Sequence, residues 1–391
     1  MRCCVRWTSN SSGSDRRYVR NLAVLACVAA ALAVSPPPGS VVEARRQTPG
    51  DQVVLVTLDG ARWQEVFGGL DPDVLRSLSG KTPIEDTPSY KRFWADSPQG
   101  RREKLMPFLW MTLARQHGFL AGNRTIGSHV DVTNRHRFSY PGYNELLTGA
   151  PHNDVVTSND NRRYDFLTVL EWLRPALGVS REQVAAFASW ETFNYIAERK
   201  EGTIAINAGF ESYDHDDPRV RQLSALQFDT PTPWSGARHD VYTYRFAMAH
   251  LASYRPRVLY LAFDETDDWA HDKRYDLTLE ALHRTDARLG ELWATLQADP
   301  LYRDRTTLIV TVDHGRGRTP ADWTSHGADI AGAEEIWLGC FGGAVRARGE
   351  LRDHPVLQQR QVAATVAAAV GKDFRTAVPE AASPIAQCVG Q

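Results

Sequence analysis

The chain alternates between short runs that are apolar at almost every position and longer segments with helical periodicity. Seven apolar, β-branched runs predict strands at 52–58, 126–132, 184–188, 203–207, 257–263, 306–312 and 335–340. Segments between them predict helices at 103–116, 166–174, 190–198, 240–253, 277–297 and 355–370. Strands that are apolar throughout are typical of a sheet covered on both faces. The alternation therefore predicts an α/β fold, a three-layer α/β/α sandwich with a mostly parallel central sheet.

The first 44 residues have the pattern of an export signal. Arginines between positions 16 and 20 precede an apolar stretch at 22–34, and Val42-Glu43-Ala44 offers a small-residue cleavage site. Because the apolar stretch is short for a bilayer span, a cleaved signal peptide is favoured over the alternative, an N-terminal membrane anchor. The predicted organisation is a signal peptide at 1–44 and one domain at 45–391, secreted or periplasmic and without a stable membrane span after cleavage.

The amino-acid composition limits the classes of partner that the protein is expected to bind. The 391 residues are 24% charged and 42% hydrophobic, with a net charge of -2 and no long basic run. This composition is that of a globular protein and argues against nucleic acid as the primary partner. Cleavage of the signal would leave Cys340 and Cys388, which could form one disulfide in an exported chain or stay as two thiols. None of these features sets the oligomeric state. Segment 209–237, with several Pro and Asp residues, predicts a surface insertion.

Acidic residues follow three of the predicted strands. Asp59 comes directly after the first strand, Asp264-Glu265-Thr266-Asp267-Asp268 follows the fifth, and Asp313 follows the sixth. The carboxyl ends of parallel strands meet at one edge of a sheet, where ligands bind. Carboxylates that converge there repel each other unless a cation or a proton neutralises them. The pattern therefore predicts a metal site at this edge.

Three histidines accompany these carboxylates. His271 lies four residues after Asp267, His314 adjoins Asp313, and His326 follows shortly afterwards. Each pair alone is commonly a surface or turn feature, but their joint occurrence at strand ends indicates metal ligands. Mixed imidazole and carboxylate ligands suit zinc, while manganese or calcium could also occupy carboxylate-rich positions. Asp264 or Asp268 could replace Asp267, although the spacing to His271 favours Asp267.

Ser139 stands at the start of a predicted helix that ends at Gly149. Ser139 occupies a capping position, Pro141 suits the first turn and Gly149 suits the C-terminal cap. One interpretation is that Ser139 only caps the helix. The other is that it acts as a nucleophile, because a helix N-terminus binds phosphate oxygens and a metal ion can acidify a bound hydroxyl.

These motifs occur in the order used by the alkaline phosphatase superfamily. The turn Ser139-Tyr140-Pro141-Gly142-Tyr143 resembles the Thr/Ser-Phe-Pro-Asn-His-Tyr element of nucleotide pyrophosphatase/phosphodiesterases. The segment from Glu265 to His271 resembles their Glu-Pro-Asp-x-x-Gly-His motif. The resemblance extends over about residues 52–343; it is strong at the metal motifs and thin between them.

The resemblance implies two divalent metal ions, expected to be zinc, and a secreted hydrolase of small phosphate monoesters or diesters. Ser139 would form a phosphoseryl intermediate. One ion would be held by Asp59, Ser139, Asp313 and His314, and the other by Asp267, His271 and His326.

Two further residues are substrate-binding candidates. Asn159 lies where the phosphodiesterases place an Asn that hydrogen-bonds a phosphate oxygen, with Asn161 as the alternative. Arg62 could reach a phosphate as a bidentate donor. The ordinary interpretations are a polar loop for Asn159 and a solvated helix face for Arg62.

The position of His326 departs from the phosphodiesterase pattern. Its short distance from Asp313-His314 resembles cofactor-independent phosphoglycerate mutases, phosphopentomutases and sulfatases. No Cys/Ser-x-Pro-x-Arg sulfatase motif is present. The alternatives are therefore a sulfate-ester or phosphonate hydrolase on the same fold, or a secreted metal-binding protein without turnover.

Overall fold

A sheet of eight strands lies at the centre of residues 51–390, the part of the chain that the computed structural model describes. The predicted export signal at 1–44 lies outside these residues. The strands are β1 Gln52–Leu58, β2 Gly118–Ala121, β3 Val130–Asp131, β4 Val184–Ala188, β5 Ala205–Ala208, β6 Val258–Phe263, β7 Thr306–Thr311, β8 Glu335–Ile336, β9 Leu338–Gly342, β10 Gly349–Glu350 and β11 Leu357–Gln358. Their order in the large sheet is β10-β2-β9-β7-β1-β6-β4-β5. Only β9 runs against its neighbours in this sheet, and β11, β3 and β8 form a small second sheet.

Helices cover the sheet on both sides. Every residue of β1, β6 and β7 is buried, and side chains of a strand alternate between the two faces, so both faces must be covered. The helices are α1 Trp63–Gly68, α2 Pro72–Ser79, α3 Pro88–Phe93, α4 Pro98–Leu105, α5 Ser139–Thr148, α6 Val169–Leu177, α7 Phe193–Ile196, α8 Pro218–Leu226, α9 Asp240–Tyr254, α10 Glu265–His271, α11 Tyr275–Ala298 and α12 Val362–Ala369. The predicted three-layer α/β/α sandwich with a mostly parallel sheet is confirmed.

The fully apolar runs were the most accurately predicted strands. The predictions at 52–58 and 184–188 match β1 and β4 residue for residue. The prediction at 126–132 is largely wrong, because Gly127 adopts a left-handed conformation with φ 76 that ends a short 3-10 turn and leaves only Val130–Asp131 extended. The single strand predicted at 335–340 is divided between β8 and β9, which belong to different sheets.

Three predicted helices differ from those observed. The prediction at 355–370 holds only from Val362 onward, because β11 and a 3-10 turn precede α12. The prediction at 103–116 is broken after Leu105, and the chain resumes as a π-helix over Leu109–His117. The prediction at 190–198 shrinks to the single turn Phe193–Ile196. Segment 209–237 contains α8 and forms an isolated bridge between Ala237 and Trp190, two residues after β4; that it is an insertion stays a prediction.

The C-terminal segment is tied to the core by a disulfide. Cys340 on β9 pairs with Cys388, 48 residues later, so the two-thiol alternative is wrong. Across residues 51–390, no helix combines the length and the apolar character needed to cross a membrane.

Candidate metal centre and active site

Three adjacent strands deliver the candidate ligands to one edge of the sheet. β7, β1 and β6 lie side by side at the centre, all parallel. Asp59 directly follows β1, Asp313 lies two residues after β7, and α10 begins two residues after β6 ends. The Gly60 N–H donates to Asp313 Oδ1 at 3.0 Å, and the Thr266 hydroxyl donates to the Asp59 carbonyl oxygen at 2.5 Å. These bonds lock the three strand ends to one another.

The first ligand group consists of Asp59, Asp313 and His314, which offer ligand atoms within 4.8 Å of one another. His314 Nε2 lies 3.4 Å from Asp59 Oδ1 and 3.4 Å from Asp313 Oδ2. All three side chains are fully buried, with at most 1% exposure. His314 Nδ1 lies 3.0 Å from the Gly315 carbonyl oxygen, which can accept a hydrogen bond from the Nδ1–H group. Nε2 would then be the nitrogen that ligates a cation, in place of its own proton.

The second ligand group consists of Asp267, His271 and His326. His271 Nε2 lies 3.1 Å from Asp267 Oδ2 and 3.0 Å from His326 Nε2, and His326 Nε2 lies 3.8 Å from Asp267 Oδ1. The His271 side chain is 48% exposed, so this group opens to solvent while the first is buried. The structure thus brings Asp267, and neither Asp264 nor Asp268, into the group.

The two groups are neighbours. His314 Nε2 is 3.9 Å from Asp267 Oδ1, and the ring centroids of His314 and His326 are 4.1 Å apart. All six residues predicted from strand ends and histidine spacing therefore surround one small region. Such closeness is the arrangement that a pair of cooperating cations requires.

The electrostatics of the centre favour bound cations. Burial and the nearby charge of Asp59 raise the pKa of Asp313 to about 8. Burial opposes the charged form of His314, but the carboxylates of Asp313 and Asp59 raise its pKa to about 9. Burial and the neighbouring His314 lower the pKa values of His271 and His326, which leaves both rings neutral and able to donate lone pairs. A nearby positive charge would therefore stabilise the buried carboxylates, and the neutral rings of His271 and His326 can ligate a cation.

Two orphaned oxygens fit a metal ion. Asp59 Oδ1 and Asp313 Oδ2 are buried, and neither accepts a hydrogen bond from any described residue. An unpaired buried carboxylate oxygen is costly, and a divalent cation would remove that cost. The residues present therefore fit two divalent ions; their oxygen and nitrogen donors are compatible with zinc without fixing its identity.

Ser139 is the first residue of α5 and lies at the first ligand group. Its Oγ is 3.5 Å from His314 Nε2, and the side chain is 6% exposed. The capping position predicted for Ser139 is wrong by one residue, because the N-cap is Phe138 and no side-chain capping bond forms. The hydroxyl is therefore oriented toward the ligands instead of being used to cap its own helix. The predicted end of the helix is confirmed, with Gly149 in the left-handed conformation at φ 81.

Asn159 lies at the same helix N-terminus. Its side-chain oxygen accepts the Tyr140 N–H at 2.9 Å, and the residue is exposed. This bond fixes the amide beside Ser139, and the nitrogen end of the amide remains a donor that can face a substrate. Asn161, the alternative, instead bonds Thr192 and Glu191.

The Arg62 guanidinium is bound by other residues of the protein itself. Its buried guanidinium pairs with Glu65 and donates to the Gly317 carbonyl oxygen at 2.9 Å. The solvated helix face considered for Arg62 is wrong, because the side chain is 3% exposed. A substrate phosphate would have to displace these partners, so the contacts give no support to the substrate-binding role predicted for Arg62.

Two residues of α5 that shape the centre, Tyr143 and Gly142, were assigned no role from the sequence, and a third, Arg316, was considered only as a possible donor to a substrate phosphate. The Tyr143 hydroxyl donates to Asp59 Oδ2 at 3.0 Å, and burial beside Asp313 and Asp59 raises the pKa of Tyr143 well above its usual value, so the phenol keeps its proton. Gly142 lets α5 approach the Asp313 carbonyl closely. The buried Arg316 guanidinium contacts Asp267. A usable signal existed for Tyr143, which lies four residues after Ser139 and hence on the same helix face.

Comparison with known proteins identifies a matching family. The sequence profile of the type I phosphodiesterase / nucleotide pyrophosphatase family matches residues 67–373, well over half of the chain. Comparison with curated protein sequences gives no match.

Solved structures share the fold at low identity. The phosphonate monoester hydrolase SpPMH from Silicibacter pomeroyi is similar with a TM-score of 0.53 at 14% identity, over 87% of this chain and 77% of that one. BT1596, a 2-O GAG sulfatase, is similar with a TM-score of 0.53 at 12% identity, over 87% and 74%. The lipoteichoic acid synthase LtaP from Listeria monocytogenes is similar with a TM-score of 0.50 at 11% identity, over 84% and 74%.

At such identities the solved structures show the fold alone, whereas the family profile matches the sequence itself and so assigns it to a family. The family profile supports a hydrolase. The resemblance drawn from the motifs at the strand ends is confirmed: the chain belongs to the type I phosphodiesterase / nucleotide pyrophosphatase family, within the alkaline phosphatase superfamily.

Proposed function

We propose that the protein is an exported, two-metal hydrolase of phosphoric esters with Ser139 as its nucleophile. The observation that carries the proposal is the position of the Ser139 hydroxyl, which makes no capping bond and lies 3.5 Å from His314 Nε2. Asp59, Asp313, His314 and Ser139 would hold one divalent ion. Asp267, His271 and His326 would hold the other. When bound, the ions supply Lewis-acid activation and charge compensation.

The chain's own groups account for substrate orientation. The N-terminus of α5 places the partial positive charge of the helix at Ser139, which favours phosphate oxygens at that point. The Tyr140 N–H of this turn is already donated to Asn159, and Pro141 has no N–H. The Asn159 amide nitrogen would donate a further hydrogen bond to a phosphate oxygen as negative charge develops. Access would be from the side of His271, the exposed member of the second group.

The reaction would proceed in two displacements. The Ser139 hydroxyl loses its proton as its oxygen forms a bond to phosphorus; the bond from phosphorus to the ester oxygen breaks, and the ester oxygen takes that electron pair and a proton and leaves as the alcohol. Water then attacks phosphorus and loses a proton, the bond from phosphorus to the Ser139 oxygen breaks, and the serine oxygen takes up a proton. The first step gives a phosphoseryl intermediate, which distinguishes this mechanism from direct attack by water.

A phosphodiester is the favoured substrate class, because the family profile that matches the chain is that of phosphodiesterases. Sulfate-ester or phosphonate hydrolysis is the second candidate, favoured by the similarity to BT1596 and SpPMH. It is weakened at Tyr143, which stands where the sulfatase motif Cys/Ser-x-Pro-x-Arg would have its Arg.

Export is supported by two features. The N-terminal 44 residues have the signal pattern, and the Cys340–Cys388 disulfide is of a kind that persists in oxidising compartments. N-terminal sequencing of protein recovered from the periplasm or the medium should begin near Arg45. An intact N-terminus on membrane-bound protein would refute cleavage.

The hydrolase proposal is tested with a panel of nitrophenyl esters. Protein loaded with Zn²⁺, Mn²⁺ or Ca²⁺ is assayed on bis-nitrophenyl phosphate, nitrophenyl phosphate, a nitrophenyl phosphonate ester and nitrophenyl sulfate. We expect the diester to be the best substrate and Ser139→Ala to reduce turnover by roughly 10³-fold or more. The half-buried Ser79, whose hydroxyl bonds only its own helix far from the centre in sequence, provides the matched control variant Ser79→Ala.

Each outcome of the panel is informative. Loss of activity with a chelator and recovery with metal support metal dependence. A covalent phosphate on Ser139 after rapid quenching supports the intermediate. Full activity of Ser139→Ala, or no turnover of any ester by protein shown to contain both ions, would refute the proposal; the second result would favour a metal-binding protein without turnover.

A further inference from the structure

Tyr143 forms a buried hydrogen bond to a candidate metal ligand. Its hydroxyl lies 3.0 Å from Asp59 Oδ2, whereas the other oxygen of the same carboxylate, Oδ1, lies 3.4 Å from His314 Nε2. The phenol therefore donates to Asp59 Oδ2, while Oδ1, which accepts no hydrogen bond from a described residue, lies in the first ligand group. A hydrogen bond to one oxygen of a ligating carboxylate orients the other oxygen.

The aromatic ring of Tyr143 has little freedom to move. The side chain is 1% exposed and packs edge-to-face against Phe193, with ring centroids 4.6 Å apart. Phe193 in turn packs against Tyr260, with centroids 5.6 Å apart. Because interiors are close-packed, this stack fixes the position of the hydroxyl and hence of the carboxylate that accepts from it.

Tyr143 also connects two elements that must be aligned for the reaction. It lies on α5 four residues after Ser139, and residues at this spacing share one face of a helix. Asp59 belongs to the end of β1. The hydrogen bond thus joins the helix that carries the proposed nucleophile to the strand that carries a ligand for the same ion.

We infer that Tyr143 is a positioning residue, whose hydroxyl orients Asp59 for metal binding and keeps α5 in register with the ligands. The inference rests on the proposed function, in which Asp59, Asp313 and His314 hold a divalent ion. Tyr143 does not touch the substrate; it acts through Asp59. Its loss should therefore affect affinity for one of the two ions and turnover, with a smaller effect on the KM for the ester.

The variant that tests this inference is Tyr143→Phe, which deletes the hydroxyl and keeps the ring stack. Tyr302→Phe is the matched control, because Tyr302 is only 2% exposed and its hydroxyl donates to the Pro256 carbonyl oxygen at 3.1 Å, outside the centre. Binding of Zn²⁺ and of Co²⁺ to chelator-treated protein is measured by isothermal titration calorimetry, and the Co²⁺ absorption spectrum reports ligand geometry. kcat, KM and Tm are measured on the same samples.

We expect Tyr143→Phe to weaken binding of one ion by roughly 10- to 100-fold, to alter the Co²⁺ spectrum and to lower kcat. Tyr302→Phe should lower only Tm. Wild-type affinity, spectrum and kcat in Tyr143→Phe, with a loss of Tm like that of Tyr302→Phe, would overturn the inference.

A double-mutant cycle gives a second test of the coupling between Tyr143 and Asp59. Asp59→Asn removes the carboxylate through which Tyr143 would act, so adding Tyr143→Phe to it should change metal affinity little further. An equally large additional loss would overturn the inference. Metal binding is measured without turnover, so a wild-type protein that binds both ions but hydrolyses no ester would refute the proposed function alone.

Discussion

Gly142 is the position at which helix α5 and the Asp313 backbone come closest. A Cβ added to Gly142 would lie 2.4 Å from the carbonyl oxygen of Asp313 and 3.0 Å from its carbonyl carbon. The carbonyl has little room to retreat, because it also accepts the Gln359 side-chain N–H at 2.6 Å. Since carbon–oxygen contacts are ordinarily about 3.3–3.6 Å, Gly142→Ala should move α5 and Asp313 apart by roughly 1 Å.

Gly142→Ala has two effects of opposite sign on the free energy of unfolding. Replacing a helical Gly by Ala should stabilise the protein by about 0.5–1 kcal/mol, because Ala loses less backbone entropy. Overpacking costs about 1–3 kcal/mol, so the variant should be destabilised on balance. The effect on catalysis should be larger, since a displacement of roughly 1 Å between Ser139 and the Asp313 ligand can reduce turnover about 10²-fold.

Gly290 provides the matched control. It also lies inside a helix, α11, but its added Cβ would be 3.5 Å from the Phe108 ring, an ordinary contact. Gly290→Ala should therefore keep wild-type kcat/KM and show an equal or higher free energy of unfolding. The measurements are kcat/KM on a nitrophenyl diester and urea unfolding of metal-loaded protein. Wild-type kcat/KM in Gly142→Ala would refute the reasoning from close approach.

Two further predictions concern stability. Burial raises the pKa of Asp286 to about 6, above its ordinary value. Below this pH the folded state binds a proton at Asp286 more tightly than the unfolded state does, which stabilises the fold. This stabilisation is lost as the pH rises through the raised pKa. The free energy of unfolding of the wild type, compared with that of Asp286→Asn, should therefore fall by about 2 kcal/mol between about pH 4 and pH 6, measured by urea titration at each pH; equal changes in the two proteins would contradict this. Cys388→Ala opens a loop of 48 residues and should lower the free energy of unfolding by about 4 kcal/mol. Reductant should cause the same loss in the wild type and no further loss in the variant.

The accuracy of the sequence predictions depended on burial. β1 and β4 were predicted residue for residue because every residue of each is buried, so the apolar run and the strand have the same limits. β2, with Gly118 at its start, was missed because its four residues give too short a signal. The π-helix Leu109–His117 could not be foreseen, since its first turn is held by Asp286, whose carboxylate accepts the Phe108 and Leu109 N–H groups from far along the chain.

The candidate site was predictable where chemistry follows a strand end. Asp59, Asp267 and Asp313 were identified because central parallel strands place whatever follows them at one edge. The choice of Asp267 over its acidic neighbours came from the spacing to His271, which a helical turn then satisfies. The contacts of Arg62 were not predictable from its nearness to Asp59 alone, because they depend on Glu65 one turn away and on Gly317 from a distant loop.

The order of the strands explains why this centre forms only in the folded chain. Asp59 and Asp313 are separated by more than 250 residues, yet β1 and β7 pair directly and the Gly60 N–H bridges their ends. Packing hydrophobic strands together therefore forces two carboxylates into a buried space, at an electrostatic cost that the apolar core must offset. Divalent ions would remove that cost and leave a centre whose ligands are already oriented by the sheet. On this argument the metal preference of the site and the stability of its sheet edge have one origin, the convergence of β7, β1 and β6.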